Sequence, residues 1–153
     1  MKNRRSFWFW FLIFIGIILN MMYLSGQTMA IINYDFTVST GLQESITDIT
    51  GVGVAYNKGF GLGDTVFYIP LFIAGIIGLI RGKIWGIYSM FGAMAVTVYW
   101  PIVCLSALFY AKNTPGFNFN SYTEYSVLLS LIALYGLWGL WFLYRNKDNL
   151  ICQ

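Results

Sequence analysis

Three long charge-free runs constrain this chain more than any other feature. Between Arg5 and Asp35 lie 29 uncharged residues, between Lys83 and Lys112 lie 28, and between Glu124 and Arg145 lie 20. A helix rises about 1.5 Å per residue, so about 20 apolar residues cross a hydrocarbon core of about 30 Å. Each of these runs meets that requirement. A fourth run, the 16 residues between Asp64 and Arg81, is shorter. At about 24 Å it must thin the bilayer, let Arg81 snorkel, or draw residues near Gly61 into the hydrocarbon edge. Composition agrees with this reading. The chain is 58% hydrophobic and only 10% charged, against roughly 25% charged in an ordinary soluble domain, so it has too little polar surface to face water on all sides.

The sequence therefore predicts an all-α membrane protein, a single-domain bundle of four transmembrane helices. The spans are expected at about 7–27, 62–80, 84–110 and 123–144, with a long first outer loop at about 28–61. The first span follows Lys2, Arg4 and Arg5 as a secretory signal would. Its apolar run exceeds the roughly 7–15 residues of a signal core, and no clear small-x-small cleavage site follows, so it reads as a retained span. Seven of the nine basic residues (Lys2, Arg4, Arg5, Arg81, Lys83, Arg145 and Lys147) fall on the side of the two termini. Five of the six acids fall on the other side. The positive-inside rule then places both termini in the cytoplasm, in a cytoplasmic membrane. This asymmetry accounts for the net charge of +3, and no nucleic-acid partner is expected.

Within the loop, Thr40-Gly41-Leu42-Gln43 has the form of a helix capping box, and Leu42, Ile46, Ile49 and Gly53 follow at helical spacing. A short amphipathic helix is expected at about 40–50. Five of the fourteen residues from Gly51 to Asp64 are glycine, which opposes a regular helix. Asp64 then reads as an N-cap or first-turn acid of span two. Gly78 and Gly86 belong to a small-residue stripe that would let spans two and three approach closely across the short Arg81-Gly82-Lys83 link. Asn20 lies deep in span one and wants a hydrogen-bond partner there. Pro101 interrupts span three.

The chain has no histidine. That excludes Ser-His-Asp and Cys-His nucleophile systems and His-ligated zinc or haem, and no metal or cofactor is expected. Cys104 and Cys152 lie at different membrane levels and do not suggest a disulfide. The polar groups that remain converge on the outer half of the bundle, in a candidate pocket of Asp35, Asp64, Tyr68, Tyr99, Trp100 and Glu124.

Gly61-Leu62-Gly63-Asp64 resembles the G-x-G-D motif of intramembrane aspartyl proteases such as presenilin and signal peptide peptidase, and Tyr34-Asp35 resembles their Y-D dipeptide. The resemblance covers about six residues and lacks the family's Pro-Ala-Leu motif. It implies that Asp35 and Asp64 share a proton, because two close carboxylates do not both ionise cheaply. The four-span layout is also loosely similar to emopamil-binding-like sterol proteins, in architecture alone.

The leading reading is a binding or accessory protein that contacts a lipid, a small hydrophobe or a partner membrane protein through its outer half. The alternative is a membrane enzyme or transporter that uses Asp64 with Asp35 or Glu124.

Overall fold

The computed structural model describes residues 6–118 and 121–151. Lys2, Arg4, Arg5 and Cys152, which enter the sequence reading, lie outside the described residues. All regular structure among the described residues is helical, in the order α1 (Phe7–Ile32), α2 (Tyr34–Ser39), α3 (Ile46–Ile80), α4 (Ile84–Ala111) and α5 (Tyr122–Leu150). Four of these, α1, α3, α4 and α5, are long and apolar enough to cross a membrane.

The helix bounds differ from the sequence expectation most between residues 40 and 64, and α1 and α5 also run on to Ile32 and Leu150, past the expected ends at 27 and 144. No helix covers 40–45. The Thr40 hydroxyl donates back to the carbonyls of Phe36 and Thr37, both at 3.1 Å, and so closes α2 instead of opening a new helix. The helix start lies at Ser45, whose backbone N–H and hydroxyl reach the Asp48 carboxylate at 3.2 and 2.6 Å. α3 breaks once, at Thr50, and from Gly51 runs helically through the glycine-rich segment to Ile80. Glycine costs about 1 kcal/mol per residue in a helix in water. Packing of the segment against α1 outweighs that propensity here. Gly61 is also required by packing, because a Cβ there would come 2.6 Å from the Gln27 carbonyl oxygen. The short span two is thus a long helix whose first half the glycines disguise.

One residue in that first half breaks regular geometry. Thr50 has φ 67° and ψ 168°, a conformation that suits glycine and strains a β-branched residue.

Both α1 and α3 carry a π-helical turn, at Leu24–Thr28 and Asp64–Tyr68. Pro70 supplies a cause in α3: it has no N–H for the Val66 carbonyl and its ring crowds that carbonyl, which the wider turn relieves. The two π turns face each other, and the Thr28 and Thr65 hydroxyls meet between them at 2.8 Å.

The bundle core lies where α1, α3, α4 and α5 meet, around Phe9, Leu12, Phe72, Met90, Met94 and Leu143. The α3–α4 hairpin is drawn tight by glycine. A Cβ on Gly78 would collide with the Gly86 backbone, and one on Gly75 would sit 2.9 Å from Met90. Gly82 closes the turn with φ 63°. On α5, Gly136 and Gly139 perform the same service against Val98 and Met94. The outward faces are apolar too: Phe14, Val66, Phe67, Leu131 and Leu134 are all exposed, as a lipid-facing surface requires. We call the end of the bundle carrying α2 and the α4–α5 connection the loop end.

Candidate functional site

The polar residues inside the bundle form two connected groups. The deeper one gathers Tyr23 of α1, Asp64 and Tyr68 of α3, and Thr97 and Trp100 of α4. The Tyr68 and Thr97 hydroxyls meet at 2.7 Å, and the Thr97 hydroxyl donates onward to the Ala93 carbonyl at 2.8 Å. The Tyr23 ring bridges Tyr68 and Trp100, with centroid separations of 4.8 and 5.5 Å. Asp64 is only 5% exposed and lies within electrostatic reach of both Tyr23 and Tyr68. Asp64 Oδ2, the Tyr23 hydroxyl and Trp100 Nε1 are buried and have no hydrogen-bond partner among the described residues.

Such atoms are costly in a dry interior, at about 1–3 kcal/mol each.

The second group lies at the loop end. The Asn57 amide donates to Gln43 Oε1 at 2.9 Å, to Glu44 Oε2 at 3.0 Å and to the Tyr34 hydroxyl at 3.3 Å. Tyr34 in turn donates to the Glu44 backbone carbonyl at 3.0 Å. Gln43 donates to the Gly26 carbonyl at 3.3 Å and ties this group to the π turn of α1. Burial, the largest influence, pushes the Glu44 carboxyl above the usual carboxylate range, and a hydrogen bond from its own backbone and then that from Asn57 partly offset it. Lys58 stands 5.5 Å from the Tyr34 ring centroid.

Two cavities flank these groups. One, of about 500 Å³, runs between α1 and α5 beneath the 41–43 turn, with Ile17, Met21, Leu128 and Ile132 among its walls. The other, of about 480 Å³, lies at the loop end between α3, α4 and the α4–α5 connection. Gln27, Gln43, Trp100 and Tyr125 line both and form the seam between them. Gln27 Oε1 joins Trp100 Nε1 as an unpartnered buried atom at this seam.

Of the residues the sequence nominated, the structure brings Asp64, Tyr68 and Trp100 together. Asp35, Tyr99 and Glu124 are exposed and do not join them. Asp35 sits on α2 while Asp64 is buried within α3, so the paired-aspartate arrangement implied by the G-x-G-D resemblance does not form. Asp64 is also no helix cap: it lies mid-helix, 18 residues after Ile46. Asn20 finds no partner on another span. Its amide donates to Gly16 of its own helix at 3.1 Å. Sequence reading missed Tyr23, Gln27, Gln43, Glu44 and Asn57. For α1 a signal existed, since Asn20, Tyr23 and Gln27 recur three and four residues apart and share a helix face. No group of three or more metal-binding side chains occurs among the described residues.

The arrangement is that of a four-span helical membrane protein with a polar, aromatic seam between two apolar cavities. Comparison with protein-family models, curated proteins and solved structures finds no match.

Proposed function

We propose that this is a binding protein of the cytoplasmic membrane that holds a lipid or small hydrophobe at its loop end, with both termini on the cytoplasmic side. The lysine and arginine distribution supports the orientation, since the loop end carries only Lys58 and Lys112. The observation that carries the binding reading is the loop-end cavity. Its volume of about 480 Å³ falls within the range of small-molecule sites. Its walls are mostly apolar and aromatic, with a few convergent polar groups at Gln27, Gln43, Glu44 and Asn57. That mixture is the general pattern of a ligand pocket.

The test is saturable binding of the hydrophobic fluorophore N-phenyl-1-naphthylamine to protein in nanodiscs. A single saturable site is expected, and Val103→Trp, which fills the cavity from α4, should abolish it while the helical circular dichroism is kept. Purely linear partitioning into the lipid, identical in Val103→Trp, refutes the reading.

A second reading rests on Asp64. An acid buried among Tyr23 and Tyr68 with an unpartnered oxygen is a functional position by default in a membrane interior, and proton-coupled transport would use it. On this reading Asp64→Asn abolishes proton uptake driven by a candidate substrate in liposomes. On the binding reading Asp64→Asn leaves the fluorophore site intact.

A further inference from the structure

The chemistry of the loop-end cavity says which head group it suits. Among the described residues that line it, Glu44 is the only charged side chain. The same lining includes Tyr56, Phe60, Trp100, Phe117 and Tyr125. A cavity with aromatic faces and one carboxylate has the elements that hold an ammonium group: ring quadrupoles attract a cation, and the carboxylate neutralises it. A phosphate or carboxylate head would meet Glu44 with no lining cation to offset the repulsion. Lys58 and Lys112 do not serve that purpose, because neither lines the cavity and each lies over another ring, Tyr34 and Tyr122 respectively. The Glu44 carboxylate is held in place by Asn57 at 3.0 Å, and Gln27 Oε1 offers a free buried acceptor at the seam.

The seam also says where the rest of such a molecule goes. On the other side of Trp100 and Gln27 lies the second cavity, with Ile17, Met21, Leu128 and Ile132 between α1 and α5 among its walls, and these would suit an alkyl chain. We infer that the two cavities form one site for a single-chain cationic amphiphile, with its ammonium head against Glu44 and the loop-end aromatic rings and its chain passing the Trp100 seam into the α1–α5 groove. This inference rests on the binding reading above and adds the class of ligand.

Tail-brominated single-chain probes of equal length, with a trimethylammonium, a hydroxyl or a carboxylate head, distinguish the two levels. They would be added to protein in phosphatidylcholine nanodiscs. The quenching of Trp100 is read directly in a variant that keeps it and carries Phe at Trp8, Trp10, Trp85, Trp138 and Trp141. The ammonium probe should quench it saturably. Glu44→Gln should raise the half-saturating ammonium concentration about tenfold while leaving the alcohol probe unchanged, which also certifies that the variant is folded. The carboxylate probe should bind most weakly. Equal saturable quenching by all three heads, unaffected by Glu44→Gln, would overturn the ammonium assignment and leave the binding reading standing. Absence of saturable quenching by any probe would overturn both.

Discussion

Thr28 and Thr65 share a hydrogen bond of 2.8 Å that joins the π turn of α1 to the π turn of α3. The Thr65 hydroxyl also donates to the Gly61 carbonyl at 2.7 Å, so Thr28 is the donor of the bond between the helices. Interhelical side-chain bonds of this kind in membranes are worth about 0.6–2 kcal/mol. A double-mutant cycle of Thr28→Val and Thr65→Val, read by detergent-induced unfolding in bicelles, should give a coupling energy of about 0.6 kcal/mol or more. Additive single mutants would mean that the contact contributes nothing specific.

Glycine is tolerated at some positions of this bundle and demanded at others. Gly86→Ala thrusts a Cβ into the Gly78 backbone, where no flexible side chain can yield. The same unfolding assay should register a loss of about 1–3 kcal/mol. Gly59→Ala is the contrast. Nothing lies within 4 Å of its Cβ, and alanine gains about 0.5–1 kcal/mol in a helix, so this variant should be neutral or more stable. Equal destabilisation by both variants would refute the close α3–α4 approach.

The backbone at Thr50 holds strain that glycine would not. At φ 67° and ψ 168°, a residue with a branched Cβ costs on the order of 1–3 kcal/mol. Thr50→Gly should recover about 1 kcal/mol of this after the entropy cost of glycine. A shift of the unfolding midpoint in the other direction would show that the Thr50 side chain contributes more than its backbone costs.

Glu44 makes stability depend on pH in a direction opposite to that of a salt-bridged acid. Burial holds its folded-state carboxyl above the ordinary range, so the folded protein binds this proton more tightly than the unfolded chain does. The contribution is fully present below the unfolded value of about 4.3 and is lost as pH rises through the raised folded value. The groups that bear on Glu44 are Asn57, Asp48 and Tyr34, with Tyr125 and Cys104 also within electrostatic reach and Lys58 beyond the Tyr34 ring. Thermal midpoints across that window should fall more steeply in the native protein than in Glu44→Gln. Superimposable profiles would remove Glu44 from the account.

How much of this could be read in the residues depended on the solvent that each segment meets. The spans of α1, α4 and α5 were legible because charge is excluded from hydrocarbon whatever the local sequence. The first half of α3 was not, because five glycines between Gly51 and Asp64 argue locally against a helix, and contact with α1, which no local pattern announces, holds the segment helical. That single misreading placed Asp64 at a helix start instead of inside a helix. Tyr68 and Trp100 were found because aromatic residues beside an acid stand out, whereas their partners Tyr23 and Thr97 looked like ordinary packing. The Asn57, Gln43 and Glu44 group could not be seen at all, since it depends on the turn at 40–45 folding back over the π turn of α1.

The Asn118 backbone N–H donates to the Asp48 carbonyl at 2.8 Å and stitches the α4–α5 connection to the first turn of α3. Thr114, Pro115 and Phe117 of that connection line the loop-end cavity, so the stitch fixes one wall of the cavity to the helix that forms another. A molecule filling the cavity would make that bond harder to open, and amide exchange at Asn118 should slow when the site is occupied.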